Sequence, residues 1–157
     1  MMKVVVSACL LGSPVRFDGG DKKSQHPVLE RWIAEGRVVS ACPEMLGGLG
    51  TPRPPAEITA DGTRVLSNEG ADVTQQFEAG ARATDDIARA NAVRIAVLKE
   101  GSPSCGSSYV YDGTFTSTRV PGRQGITAAL LNSRGIAVFS ENQFDEAAAY
   151  LESLELH

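Results

Sequence analysis

Several absences narrow this sequence before any motif is read. Its three cysteines, Cys9, Cys42 and Cys105, form no Cys-x-x-Cys pair, so zinc-ribbon and thioredoxin-like readings lose most of their support. Their odd count and wide spacing do not fit a secreted disulfide scaffold. Histidine is nearly missing. His26 falls in a loop and His157 is the last residue, which leaves a cysteine nucleophile without a well-placed base. Basic clusters are lacking too: 15 Lys and Arg stand against 19 Asp and Glu, a net charge of −4, so no DNA-binding surface is expected. The Met-Met-Lys start leads into an apolar run too short for a membrane span and without a signal-cleavage pattern. The expectations are no membrane partner and a cytoplasmic location.

What remains is an ordinary globular composition over 157 residues, enough for one domain spanning 1–157 with a substantial core. Residues 3–8, 37–41, 94–98 and 135–139 read as short strands, the first as a continuous β-branched run. Helices are predicted between them. Pro27–Glu35 has proline at its start and Gly36 as a stop. A long helix over 75–91 has Thr74 as its cap. Shorter helices cover 126–132 and 144–154. Asp61-Gly62 between two apolar runs predicts a hairpin. Asp112-Gly113 predicts a second small one, between Tyr109-Val110-Tyr111 and Phe115, followed by a Gly-rich loop over 119–125. Strands apolar on both faces, alternating with helices, imply an α/β fold: a mainly parallel sheet with helices on both faces and small hairpin insertions.

Each cysteine stands just past a strand, within loops rich in Gly, Pro and Ser. In parallel α/β proteins that edge is where ligands bind. Three converging thiolates suit a soft metal, either zinc with a water in its fourth position or an iron–sulfur cluster with one iron open. Glu44 lies two residues from Cys42 and can do proton transfer at any site Cys42 builds. Ser102 and Ser104 flank Pro103 just before Cys105, where their hydroxyls can donate to a ligand. Arg53 sits among prolines on a stiff backbone and can meet an anion or serve as a structural ion-pair partner. The loop from Leu10 to Ser24 carries Arg16, Asp18, Lys22 and Lys23 near Cys9, and it is a candidate to cover a ligand.

At these residues the sequence resembles a known family. Val6-Ser7-Ala8-Cys9-Leu10-Leu11-Gly12, Val15-Arg16-Phe17-Asp18-Gly19, Cys42-Pro43-Glu44 with Gly47-Gly48-Leu49 and Pro52-Arg53, and Ser102-Pro103-Ser104-Cys105-Gly106 together look like the thiouracil desulfurases. The match extends through Tyr111-Asp112-Gly113-Thr114-Phe115 and Gly125-Ile126-Thr127. The resemblance implies a [4Fe-4S] cluster held by Cys9, Cys42 and Cys105, supplied by iron–sulfur assembly machinery. It also implies an open iron that takes the sulfur of a thiolated nucleobase, and hydrolytic release of that sulfur without net redox change. The family's acid/base carboxylate falls on Glu44. Its catalytic serine falls on Ser102 or Ser104, with Ser102 favoured, while Arg16, Asp18 and Arg53 are the expected substrate contacts. The extra helical domain of some relatives has no counterpart in these residues, so a stand-alone form is expected. Two alternatives stay open: a sulfur-handling protein acting on thiolated nucleosides, and a three-cysteine sensor that binds without turnover.

Overall fold

A computed structural model describes residues 1–156; His157 lies outside the described residues. Four strands build the central sheet: β1 (Val4–Ser7), β2 (Val38–Ala41), β5 (Ile95–Leu98) and β8 (Ala137–Ser140). Their order is β2-β1-β5-β8 and every pairing is parallel, with Val4 opposite both Val38 and Ile95. The chain winds one way from β1 to β2 and the other way from β5 to β8. The crevice at the carboxyl ends of β1 and β5 is therefore a topological switch point.

Alternation along the strands divides the core. Val4, Val6 and Val97 face α1 (Pro27–Ala34) and α5 (Phe144–Glu155), where Trp32, Leu29, Phe144 and Leu151 are buried with them. Val5, Ala96 and Leu98 face α3 (Thr74–Ala90) and α4 (Ile126–Ser133), packing with Ala88, Ala128 and Leu131. Both central strands are buried throughout, as the apolar runs required. The expected α/β architecture with helices on both faces is what the chain adopts. His26 caps α1 by accepting the Val28 N–H at Nδ1.

Two expectations change in detail. Thr74 is the first residue of α3 rather than its cap. The Asp72 carboxylate takes the Thr74 N–H, and Thr74 Oγ1 accepts the Val65 N–H, tying the helix start to the neighbouring strand. Asp61-Gly62 does sit in a hairpin, between β3 (Ala56–Ile58) and β4 (Val65–Ser67). The partner of β6 (Tyr109–Tyr111) is not near Phe115 but β7 (Arg119–Pro121), inside the stretch expected to be a loop. Asp112 accepts from the backbone and hydroxyl of Thr114, and a chain of threonine hydroxyls runs on to Thr116 and Thr118. This local hydrogen bonding widens the connection beyond a tight turn.

A short helix, α2 (Pro43–Leu46), follows β2 and crosses α3 at unusually close range. A Cβ on Gly80 would collide with the Pro43 carbonyl oxygen, and one on Gly47 with the Gln76 carbonyl oxygen. Glycine is required at both positions because two backbones touch there. Gly80→Ala should destabilise the protein by about 1–3 kcal/mol through overpacking. Urea unfolding would show this as a lower midpoint; an unchanged midpoint would mean that α2 is free to move aside.

Candidate active site

The three thiols reach one cavity by three routes. Cys9 sits in a single 3-10 turn (Ala8–Leu11) that ends at Gly12, whose φ of +94° suits glycine. The Cys9 carbonyl accepts the Lys22 N–H at 3.0 Å, folding the Leu10–Ser24 loop back over it. Cys42 immediately precedes α2, whose approach to α3 sets its place. Cys105 ends the loop after β5, with its N–H bonded to Ser102 Oγ at 2.9 Å. All three line a cavity of about 440 Å³ at the switch point, together with Glu44, Ser102 and Arg53. Its other walls include Phe17, Phe77, Tyr109 and Tyr111.

Electrostatics describe a dry thiol pocket. Burial pushes the Cys9 thiol up to about 11, and the neighbouring Cys42 adds to the shift. Burial also raises Cys42 and Cys105. Such thiols ionise only when a cation takes the place of their protons. Among the described residues no three His, Cys, Asp or Glu side chains gather closely enough to grip one metal ion. The donor set, three soft sulfurs around a shared void, fits an iron–sulfur cluster better than a three-thiolate zinc.

Glu44 is held by Arg53, which donates from both Nε (2.9 Å) and Nη2 to the same oxygen, Oε2. Oε1 is left to take or give a proton. The Arg53 guanidinium also donates from Nη1 to the carbonyls of Val15 and Gly50, each at 3.0 Å. Four of its five N–H groups are thus directed at the protein, while Arg53 itself lines the cavity. Arg16 lines the cavity beside Phe17, 3.5 Å from the carboxylate of Asp18. Asp18, expected at the substrate, is half exposed and stands off the cavity wall, accepting the Gly20 N–H.

The two serines separate cleanly. Ser104 is fully buried, shares a 2.7 Å hydrogen bond with Thr127 Oγ1 and does not line the cavity. Ser102 does line it, and its Oγ accepts two backbone N–H groups, from Ser104 (3.0 Å) and Cys105 (2.9 Å). Two donors on one oxygen polarise the hydroxyl and leave its own proton to be donated.

Sequence reasoning passed over several wall residues: Ser7, Lys99, Glu100 and the pair Tyr109 and Tyr111 as ligand contacts. The tyrosines were readable in principle. Val110 points into a core cluster with Phe77, and period-two alternation sends its two neighbours the other way. Glu100 carried no signal because its role is assembled by the loop beyond it. Its carboxylate accepts from the N–H and hydroxyl groups of both Ser107 and Ser108, at 2.7–3.1 Å. Burial would raise its pKa, but the bonds from Ser108 and Ser107 outweigh it and hold the carboxyl below its ordinary value. The stability this adds is therefore present above the unfolded carboxyl value, near 4.3, and is lost as pH falls through the lower folded value. Glu100→Gln should cost about 1–3 kcal/mol at pH 7 and much less at pH 3. Equal differences in the urea midpoint at both pH values would refute this account of the loop.

Fold and site together define a doubly wound α/β protein with a thiol-lined cavity at its switch point. The chain belongs to the 2-thiouracil desulfurase family, whose sequence model matches residues 4–143. It is similar to YbbK of Bacillus subtilis (strain 168), an uncharacterized protein, at 39% identity over 151 residues, which is 91% of this chain and 98% of that one. It is also similar to a solved structure of the [4Fe-4S]-dependent thiouracil desulfidase TudS. Identity there is 48% and the TM-score 0.92, covering 97% of this chain and 99% of the other.

Proposed function

We propose that this protein, acting as one desulfurase-like domain, removes sulfur hydrolytically from a thiolated nucleobase such as 2-thiouracil. The observation that carries the reading is the convergence of Cys9, Cys42 and Cys105 on one cavity that Glu44 and Ser102 also line. A [4Fe-4S] cluster would be held by those cysteines and would supply Lewis-acid chemistry toward the substrate sulfur. Overall, a carbon–sulfur bond breaks, a carbon–oxygen bond to water forms, and the sulfur departs with its electron pair as hydrogen sulfide. Nothing is oxidised or reduced.

The chain's own residues manage protons and placement. Glu44 takes a proton from water at Oε1 while Arg53 fixes Oε2 and so the carboxylate's orientation. The Ser102 hydroxyl, polarised by its two backbone donors, hydrogen-bonds the ring's exocyclic or ring heteroatom. Phe17, Tyr109 and Tyr111 give the planar base apolar walls and limit water. Ser104, bonded to Thr127, acts by supporting the loop rather than touching substrate. No helix among the described residues is long and apolar enough to cross a membrane; a cytoplasmic setting, with assembly machinery to load the cluster, is part of the proposal.

The test is anaerobic reconstitution with iron and sulfide, then addition of 2-thiouracil with uracil and sulfide quantified. Cluster-dependent turnover is expected. A loaded protein without turnover would favour sulfur handling or sensing, and a protein that loads no cluster would remove the reading. Cys42→Ala should lose cluster and activity together. Glu44→Gln should keep the cluster's absorption yet lower kcat about 10²–10⁴-fold, and Ser102→Ala should impair turnover far more than Ser104→Ala. Equal effects of the two serine substitutions would return the serine assignment to an open question.

A further inference from the structure

Ser7, the last residue of β1, has no part in the chemistry above, yet it is buried and lines the cavity. Its Oγ accepts the backbone N–H of Lys99 at 3.0 Å. The same hydroxyl donates to Cys105 Sγ at 3.8 Å, a length suited to the larger radius of sulfur. The first bond orients the second: with a lone pair occupied by the Lys99 N–H, the hydroxyl proton is aimed at the sulfur. Ser7 can reach both groups because β1 and β5 are adjacent and in register, with Val6 opposite Val97. Among the described residues this is the one hydroxyl directed at a thiol. Cys42 is itself the donor in its contact with the Val15 carbonyl, at 4.0 Å, and that contact ends when the thiol ionises.

We propose that Ser7 is a positioning residue that holds the Cys105 sulfur in its ligating orientation and, by hydrogen bonding to it, withdraws electron density from that thiolate. This rests on the reading that Cys105 is a cluster ligand. A hydrogen bond to a ligand sulfur stabilises the more negative, reduced state of a cluster and so raises its reduction potential. The three ligands are then unequal by construction. Among the described residues, Cys105 alone of the three has a side-chain hydroxyl bonded to its sulfur, and that hydroxyl belongs to a central strand.

The experiment compares wild type, Ser7→Ala and Ser7→Thr after anaerobic reconstitution with iron and sulfide. It reads iron content, the cluster midpoint potential, and coupling of exchangeable deuterons to the chemically reduced cluster in D2O. Wild type should show a coupled deuteron. Ser7→Ala should load iron, lose that coupling and titrate at a lower potential, and Ser7→Thr should restore both. An unchanged potential and coupling in Ser7→Ala would overturn the proposal. If Ser7→Ala loads nothing while its apo-protein melts as wild type does, loss of Cys105 placement is the cause and the proposal stands. If its apo-protein melts far below wild type, the deuteron coupling of wild type and Ser7→Thr decides: its presence supports the bond and its absence refutes it. Failure of wild type to take up a cluster is a different failure, that of the ligand assignment itself.

Discussion

The ion pair between Arg53 and Glu44 is the constraint on which the site depends. Both groups are largely buried, at 9% and 15% side-chain exposure, so each would be costly alone. Arg53 offsets that cost further by donating from Nη1 to the Val15 and Gly50 carbonyls. One guanidinium thereby joins α2, the loop after β1 and the proline-rich segment, and the bond from the Arg53 N–H to the Phe17 carbonyl adds to the same seam. Removing either partner would leave an uncompensated charge beside the thiols, with a penalty of about 3–5 kcal/mol. Glu44 can act as a proton carrier because Oε2 takes both bonds from Arg53 and Oε1 takes none of them.

Around that pair, the sheet does the gathering. A parallel sheet sends every strand's carboxyl end to one edge, and reversal of winding between β1 and β5 opens a crevice there. Residues far apart in sequence, Cys9, Cys42 and Cys105, reach it without unusual loops. The glycine crossing of α2 and α3 then fixes Cys42 to backbone rather than to side chains, and the Glu100 carboxylate does the same for the Ser107–Ser108 end of the loop that carries Cys105.

Much of this was legible in the sequence because it follows from local pattern. Val4-Val5-Val6 could only be a buried strand, Pro27 and Gly36 bracket a helix, and a cysteine after each strand falls at the ligand-binding edge. The differences fall where a side chain finds a partner that propensity and spacing do not announce. Thr74 looks like a cap until Val65 claims its hydroxyl, and Asp112-Gly113 looks like a tight turn until the threonine ladder widens it. Asp18 was expected at the substrate because its loop lies near Cys9; its carboxylate meets Arg16 and the Gly20 N–H, and it is not among the cavity walls. Ser102 and Ser104 could not be told apart from spacing alone. Thr127, on another helix, is what removes Ser104 from the cavity.

The departure of the three thiols from three different strand ends also bears on how the protein ages. A group held in common by the three cysteines would act as a cross-link between β1, β2 and β5, and its binding free energy would add to that of folding. Loss of that group would then erode mechanical integrity along with reactivity, and the carboxyl edge would be the first part of the sheet to loosen. Melting temperature becomes a gauge of cofactor occupancy that needs no substrate. A chaperone or protease in the cell could read the same looseness as the mark of an empty protein.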